Sequence, residues 1–391
     1  MQLALYNEPE IIARPIILYD TEGIKYAGSK REIIPNILQV ISQLPVSTVL
    51  DGFAGTTRVG QALSVNGYNV ISNDISVWSR VFGTCYLLNN KPAQYYQPYL
   101  DHLNNLPGVS GWFTEHYGGS AEQKASDAID GKKKIWQKHN TMKLDAIRTE
   151  IDKIAQDDIE KSVLLTSLIM AMDKVDSTVG HQVSYLREWA PRAYNTMSMA
   201  CPKLIQNDQQ NRVIQNDIFP TLETEVADLA YFDPPYGSAN EKMPPSRVRY
   251  NSYYHLWTTI CLNDQPMIQG AANRRADSSD VISGSVFEEF RRNSNSGRFL
   301  ALEAIEKTIL KANANYVLIS YSNQGRATKS ELIDAITAFG HDFVIFEKKH
   351  KDNVMRTMKW TNDWITAEAN AVTEYLFLIA KNEPLPKGLR Q

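Results

Sequence analysis

The stretch that most restricts the fold lies between residues 47 and 74. A short apolar run at 47–51 is followed by a glycine-containing turn and a helical pattern. A second apolar run at 69–72 then ends at Asp74, about 20 residues beyond Asp51. A strand, a glycine turn, a helix and a strand ending in an acid are typical of half of a doubly wound nucleotide-binding sheet. The sequence therefore predicts an α/β fold of the Rossmann-like type.

Strand and helix patterns alternate along the second half of the chain. The predicted strands there cover 211–217, 226–232, 316–321, 343–348 and 374–380, with helices at 301–311 and 329–339. Alternation of this kind favours a mostly parallel sheet. The close spacing of the last strands allows an antiparallel edge.

Residues 95–211 have a different character, with little strand signal. The segment 142–158 is charged and amphipathic, 161–175 is an apolar helical run, and 184–199 continues with a helical pattern. We therefore predict a catalytic domain formed by 1–94 and 212–391, interrupted by a mainly helical insertion.

Composition narrows the class of protein. The 391 residues are 43% hydrophobic and 22% charged, which is ordinary for a globular chain with a large core. We expect a cytoplasmic protein without a membrane segment, because no apolar run reaches roughly 18 residues and residues 1–10 lack a signal-peptide pattern. Three separated cysteines give no metal or disulfide spacing, and we assign no metal site. A net charge of -3 means that any nucleic-acid surface must be a local basic patch.

The apolar run 226–232 leads into the tetrapeptide Asp233-Pro234-Pro235-Tyr236. In an open α/β sheet, the carboxyl ends of strands are where ligands bind. The carboxylate can accept a hydrogen bond from an amino group, a proline carbonyl is a second acceptor, and a tyrosine ring can stack on a flat group. The alternative is a simple Asp-Pro turn.

Three further positions have both a functional and a structural interpretation. Gly52 and Gly55 allow a ligand to approach the backbone, although a glycine after a strand is also common for structural reasons. Asp74 is in the position of an acid that binds ribose hydroxyls, and Asp217 could accept from an adenine amino group. Both acids could instead cap helices.

These motifs, taken in order, carry a resemblance. The matching segments are Lys25-Tyr26-Ala27-Gly28-Ser29-Lys30, Asp51-x-Phe53-x-Gly55, Asn73-Asp74 and Asp233-Pro234-Pro235-Tyr236. Together they resemble the Dam-like class of N6-adenine DNA methyltransferases. Residues 250–257, 273–275 and 173–189 are similar to a subgroup associated with restriction-modification systems.

The resemblance implies S-adenosylmethionine as cofactor. The residues it assigns to cofactor binding are Tyr26, Lys30, Asp51, Phe53, Gly55 and Asp74, with Asp217 and Asp233 added at neighbouring strand ends. The chain departs from the family pattern at Tyr26, where tryptophan is frequent, and at the Gly-Thr-Thr that ends the turn.

The resemblance also implies the chemistry. Asp233 and the Pro234 carbonyl would accept from an adenine N6 amine while Tyr236 stacks on the base, which must be flipped out of the duplex. Methylation of cytosine C5 is disfavoured, because no proline precedes a cysteine. An N4-cytosine methyltransferase and an inactive DNA-binding paralogue stay open as alternatives.

The implied partner is double-stranded DNA, with a cognate restriction endonuclease as a possible functional partner. The helical insertion 95–211 is a candidate region for target recognition. Candidate DNA contacts are Arg247, Arg249, Tyr254, Asn273, Arg274, Arg275, Arg291, Arg292 and the segment 348–351. We expect one aromatic residue of the 250–257 segment to face the site, and Lys132-Lys133-Lys134 to be a solvated run.

Overall fold

A computed structural model describes residues 14–26, 28–124, 131–183, 186–206, 208–237, 250–278, 285–349 and 373–389. Within them, a sheet of seven strands forms the centre of the molecule. The strands of the described chain are β1 Thr48–Asp51, β2 Asn69–Asp74, β3 Gly118–Gly119, β4 Trp136–Gln137, β5 Arg212–Gln215, β6 Val226–Phe232, β7 Ile268–Gln269, β8 Arg274–Arg275, β9 Asn313–Ser322, β10 Phe343–Lys349 and β11 Thr373–Ala380.

Helices cover both faces of the sheet and form a separate helical layer. They are α1 Ile34–Ile41, α2 Arg58–Val65, α3 Val77–Gly83, α4 Ala93–Asn105, α5 Trp112–Tyr117, α6 Lys138–Ile154, α7 Asp158–Lys174, α8 Ile218–Thr224, α9 Tyr250–Tyr253, α10 His255–Leu262, α11 Leu300–Lys311 and α12 Lys329–Ala338. Among these described helices, none combines the length and apolarity needed to cross a membrane.

The central sheet has the order β10-β11-β9-β6-β1-β2-β5. The pairs among β5, β2, β1, β6 and β9 are parallel, whereas β11 runs antiparallel to both β9 and β10. This confirms the predicted parallel sheet with an antiparallel edge. The chain first builds outward from β1 and later returns to add β6 on its other side. The boundary between β1 and β6 is therefore the topological switch point, where sheets of this type bind ligands.

The strands are apolar throughout because both faces of the sheet are buried. In β6, Leu229 and Tyr231 pack with α1 and α2, while Ala230 and Phe232 pack with α8, α11 and α12. The strands β1 and β9 alternate in the same way. A strand buried on both faces reads as a continuous apolar run, which is why these strands were predictable.

Between β2 and β5 the chain forms the helical layer. Helices α6 and α7 occur where the sequence predicted them, but the predicted helix over 184–199 is wrong. In the described part of this segment, the only helix is the short 3-10 turn Pro191–Tyr194. Pro191 has no backbone N–H and disfavours α geometry at Ala190, which is extended with a ψ of 141°.

The helical layer includes a later segment of the chain. Helix α10, which follows β6 in sequence, packs on α3 and α7. Its residues Leu256, Trp257 and Ile260 are buried in the same apolar cluster as α6 and α7. The structure thus adds part of residues 250–278 to the helical body that the sequence assigned to 95–211.

Candidate active site

A cavity of about 460 Å³ opens at the carboxyl ends of β1, β2 and β6. It lies at the switch point of the sheet. Every residue predicted to bind cofactor or perform the reaction lines it, namely Tyr26, Lys30, Asp51, Phe53, Gly55, Asp74, Asp217, Asp233, Pro234, Pro235 and Tyr236. The structure therefore brings together residues that are more than 200 positions apart in sequence.

The turn after β1 requires both of its glycines. A Cβ on Gly52 would lie 2.7 Å from the Phe232 ring and 2.9 Å from Ile218 Cδ1, which is closer than packed atoms approach. Gly55 has a φ of +50°, and its amide donates to Asp74 Oδ2 at 2.9 Å. The ring of Tyr26 lies beside Gly55. The turn is thus held tightly against β6 and β2, and its backbone faces the cavity.

Asp51 is a buried acid without a hydrogen-bond partner of good geometry in the described chain. It is 1% exposed, and both carboxylate oxygens are unpaired. Burial, reinforced by the negative charges of Asp233 and Asp74, raises its pKa to about 8. The backbone amides of Gly60 and Phe53 lower that pKa without offsetting the burial. A cationic ligand group beside Asp51 would lower this pKa and stabilise the carboxylate, so the position is suited to receive such a group.

Asp74, at the end of β2, holds the backbone of two turns through hydrogen bonds. Its Oδ2 accepts from the Gly55 amide, and its Oδ1 accepts from the Ser76 amide at 2.8 Å. Burial raises its pKa, although the hydrogen bonds from Ser76 and Gly55 act in the opposite direction. Each carboxylate oxygen has a further lone pair, so Asp74 can hold the turn and still accept from ligand hydroxyls.

The tetrapeptide after β6 belongs to a charged network. The Lys30 ammonium lies 2.9 Å from Asp233 Oδ1 and 2.9 Å from Glu374 Oε1, and it also donates to the Tyr236 hydroxyl. The Tyr236 hydroxyl lies 2.8 Å from Asp233 Oδ1. In the described chain, the hydrogen bonds to Asp233 converge on Oδ1. The other oxygen, Oδ2, is therefore available to a substrate.

The charges of this network set the protonation of Asp233. Burial raises the pKa of Asp233 to about 6; Lys30 opposes that rise and Glu374 adds to it. For Lys30, burial lowers the pKa, but the two carboxylates more than offset it and the net shift is upward. Lys30 is therefore cationic, and Asp233 is ionised above about pH 6.

Two elements of the site were missed by the sequence analysis. Phe287 forms an apolar wall and meets the ring of Phe53 edge-on, with centroids 5.0 Å apart. Glu374 is the second partner of Lys30, at the start of β11. No motif pointed to either residue, since Phe287 follows a polar stretch and Glu374 lies 141 positions beyond Asp233.

Asp217 has the structural role of a helix cap, which is the alternative to its predicted contact with an adenine amino group. It caps α8, and its side chain accepts from the Phe219 amide at 2.9 Å. It also lines the cavity. Contact with a ligand base stays a prediction for this residue.

The predicted DNA contacts differ in exposure. Arg291, Arg292 and Lys348 are exposed, whereas most of the described candidates between 254 and 275 are buried. Arg247 and Arg249 lie outside the described residues. Tyr254, Asn273 and Arg275 are only 1%, 3% and 4% exposed. Arg275 is bonded to Asp264 and Asp277 at 2.7 Å and 2.9 Å, so its charge is already paired. Of the 273–275 segment, Arg274 is the residue with a partly exposed side chain.

Two further expectations about side chains differ from the structure. Among the described aromatic side chains of 250–257, none lines the cavity; Tyr254 packs behind Tyr26 with ring centroids 4.7 Å apart. The run Lys132-Lys133-Lys134 was expected to be solvated, but Lys133 and Lys134 are buried. Burial lowers the pKa of Lys133 to about 7.

Comparison with known families decides the classification. Residues 26–316 match the family model of the D12 class N6 adenine-specific DNA methyltransferases. The chain belongs to this family. The match begins at Tyr26 and continues through the turn after β1, the acid after β2 and the tetrapeptide after β6. Membership in this D12 class accounts for the joint presence of these motifs at one sheet edge.

Individual relatives are similar to most of this chain at low sequence identity. Modification methylase LlaI of Lactococcus lactis subsp. lactis is 25% identical over 378 residues, which are 92% of this chain and 55% of that protein. Modification methylase StsI of Streptococcus sanguinis is 24% identical over 83% of this chain and 48% of its own length. The chain thus spans about half the length of these two relatives. Type II methyltransferase M.NlaIII of Neisseria lactamica is 24% identical over 92% of this chain and 99% of its own length.

Proposed function

We propose that this chain transfers a methyl group from S-adenosylmethionine to N6 of an adenine in double-stranded DNA. It would act at a specific sequence, as the modification enzyme of a restriction-modification system. The observation that carries the proposal is the position of Asp233. Its Oδ1 is held by Lys30, while its Oδ2 is left beside a cavity that also contains the unpaired Asp51.

The residues of the cavity fit S-adenosylmethionine, which supplies an electrophilic methyl group on a positively charged sulfur. Asp51 offers an unpaired carboxylate to the cationic amino acid end. Asp74 offers its remaining lone pairs to the ribose hydroxyls. Phe53 and Phe287 provide an apolar wall for the adenine ring. The same cavity thus offers a carboxylate, further hydrogen-bond acceptors and an apolar wall, which match the three kinds of group that the cofactor carries.

Asp233 and Pro234 act on the substrate amine. The lone pair of an adenine amino group is delocalised into the ring, which makes the nitrogen a weak nucleophile. Acceptance of its two N–H groups by Asp233 Oδ2 and the Pro234 carbonyl favours a pyramidal nitrogen. The same acceptors stabilise the positive charge that develops on that nitrogen during transfer.

Tyr236 supports the base from one side. Its hydroxyl is held by the Lys30 ammonium, and its ring lies 4.7 Å from the ring of Tyr321. A ring fixed in this way can stack on a base that has left the duplex. Because the Asp233 side chain is mostly buried, a base paired within a duplex could not bring its amino group to it, so the target base must be extrahelical.

Double-stranded DNA is the proposed partner on the grounds of family membership. Among the described residues predicted to touch DNA, Arg291, Arg292 and Lys348 are exposed and Arg274 is partly exposed, so these four side chains fit a direct contact best. The relatives LlaI and StsI are named modification methylases. By analogy, we propose a cognate restriction endonuclease as a functional partner of this chain.

The main alternative is N4-cytosine methylation, which uses the same amine chemistry. Methylation of adenine is favoured for two reasons. The matching family is described as adenine-specific, and position 233 is Asp where the cytosine class usually has serine. A catalytically inactive paralogue is disfavoured by the intact pairing of Lys30 with Asp233.

The test is transfer of labelled methyl groups from S-adenosylmethionine to DNA of varied sequence, followed by chromatography of the digested nucleosides. We expect N6-methyladenine as the labelled product. Labelled N4-methylcytosine would establish the alternative. Protein that binds the cofactor but labels no DNA would support the inactive paralogue.

A further inference from the structure

Glu374 is the second carboxylate that contacts the Lys30 ammonium, beside Asp233. It stands at the start of β11, opposite Ser322 of β9, and is 7% exposed. We propose that Glu374 is a positioning residue for methyl transfer, which fixes the Lys30 ammonium against Asp233 and thereby fixes the Tyr236 ring. This inference rests on the proposed function of the same site.

The hydrogen-bond count of Lys30 supports this role. An ammonium has three N–H donors and no acceptor. In the structure it has three acceptors: Asp233 Oδ1, Glu374 Oε1 and the Tyr236 hydroxyl. Because Lys30 is only 8% exposed, water cannot easily replace a missing partner. Glu374 therefore completes the coordination of a buried cation.

Glu374 is itself held in place. Its Oε1 accepts from Ser320 Oγ at 2.6 Å, and it also lies within hydrogen-bond distance of the Tyr236 hydroxyl. Ser320 of β9 and Glu374 of β11 are on strands that are paired on both sides, which are rigid supports for a functional group. The Tyr236 hydroxyl has one proton, so it donates to Asp233 or to Glu374 at a given moment. Through this proton and through Lys30, Glu374 is linked to both groups that contact the base.

The geometry gives Glu374 two opposing effects on Asp233. As a neighbouring negative charge, it raises the pKa of Asp233. As the anchor of Lys30, it keeps in place the cation that lowers that pKa. The other titratable groups near Asp233 are Asp51 of β1, Tyr231 of β6 and Tyr236, and they are the same in every variant below.

Substitutions of Glu374 therefore distinguish two roles: holding Lys30 in place, and acting only as a nearby negative charge. If Glu374 is the anchor, Glu374→Leu frees Lys30, and the pKa of Asp233 rises. If Glu374 acts only as a charge, the same variant lowers that pKa. Glu374→Gln removes the charge but keeps an oxygen that can accept from Lys30. The glutamine variant should retain its anchor and lower the pKa of Asp233.

The experiment measures single-turnover methyl transfer by the full chain from pH 5 to pH 9, together with cofactor affinity by calorimetry and the melting temperature. The variants are Glu374→Leu and Glu374→Gln. The matched control is Glu347→Gln, which removes an exposed carboxylate of β10 that pairs with Lys329 of α12.

We expect Glu374→Leu to lower the transfer rate by about 100-fold and to move the acid limb of the pH profile upward. Glu374→Gln should keep most of the rate and move that limb downward. Cofactor affinity should change little in either variant, and the control should match the wild type.

A downward shift in Glu374→Leu with the rate retained would overturn the positioning role. If the leucine variant does not fold, the glutamine variant decides the matter, because a loss of rate comparable to that expected for leucine contradicts anchoring through the retained oxygen. A wild-type chain that methylates no DNA would instead refute the proposed function itself.

Discussion

The unpaired carboxylate of Asp51 should make the cofactor-free protein less stable as pH rises. The pKa of this group goes from an ordinary 3.8 to about 8 on folding. A group with a raised pKa in the folded state contributes stability below its unfolded pKa. That stability is lost as pH rises through the folded pKa. At pH 7 the loss for Asp51 amounts to about 4 kcal/mol, at 1.36 kcal/mol for each unit between 3.8 and 7.

Asp51→Asn removes this pH dependence. The new amide has N–H groups that lack a partner in the same buried position, and we assign that a cost of roughly 1–3 kcal/mol at every pH. The cost cancels when the variant is compared with the wild type at two pH values. Between pH 5 and pH 8, the stability of Asp51→Asn relative to the wild type should therefore increase by about 3–4 kcal/mol.

The assay is denaturant unfolding of the cofactor-free protein at pH 5, 6, 7 and 8, followed by tryptophan fluorescence. Asp334→Asn on the exposed face of α12 is the matched control and should leave the pH profile unchanged. The same Asp51→Asn protein should bind S-adenosylmethionine much more weakly. Parallel stability profiles for the wild type and Asp51→Asn would refute the raised pKa of Asp51 in the folded protein.

Two other substitutions test the packing around the site. Gly52→Ala forces a methyl group into Phe232 and Ile218, and it should lower the free energy of unfolding by about 1–3 kcal/mol, whereas Gly388→Ala, with open space around it, should not. Equal effects in denaturant unfolding would contradict the close contact. Arg275→Ala leaves Asp264 and Asp277 without their cation, and it should cost roughly 1–3 kcal/mol of stability, more than Arg274→Ala. A stable Arg275→Ala protein that has lost only DNA affinity would restore Arg275 as a direct DNA contact.

The sheet could be predicted because its strands have a strong local signal. Strands such as β6 and β9 are buried on both faces, so their sequences are continuous apolar runs between polar turns. The acids that end β1 and β2 then meet the acid that follows β6 at one edge, since parallel strands place their carboxyl ends together. The parallel topology therefore places the three motifs, which are far apart in sequence, around one cavity.

Features that depend on long-range contacts could not be predicted in the same way. Glu374 is the second residue of the apolar strand β11 and belongs to no motif. Its role comes from the pairing of β11 with β9. Lys133 is buried by contacts with distant segments, since it donates to the carbonyls of Ala271 and Gln182. A run of three lysines gives no sign of these contacts. Asn273 and Arg275 are residue types that often contact DNA. In the structure, however, Asn273 donates to the His116 carbonyl and Arg275 donates to Asp264.

The account assigns Asp233 to the substrate amine and Asp51 and Asp74 to the cofactor. The substitution Asp233→Ala tests this assignment most directly. The measurement pairs calorimetric binding of S-adenosylmethionine with single-turnover methyl transfer to DNA that the wild type methylates. The account predicts that transfer is abolished while cofactor binding remains close to that of the wild type, because Asp51 and Asp74 are unchanged. Loss of cofactor binding together with transfer would contradict the assignment of Asp233 to the substrate amine.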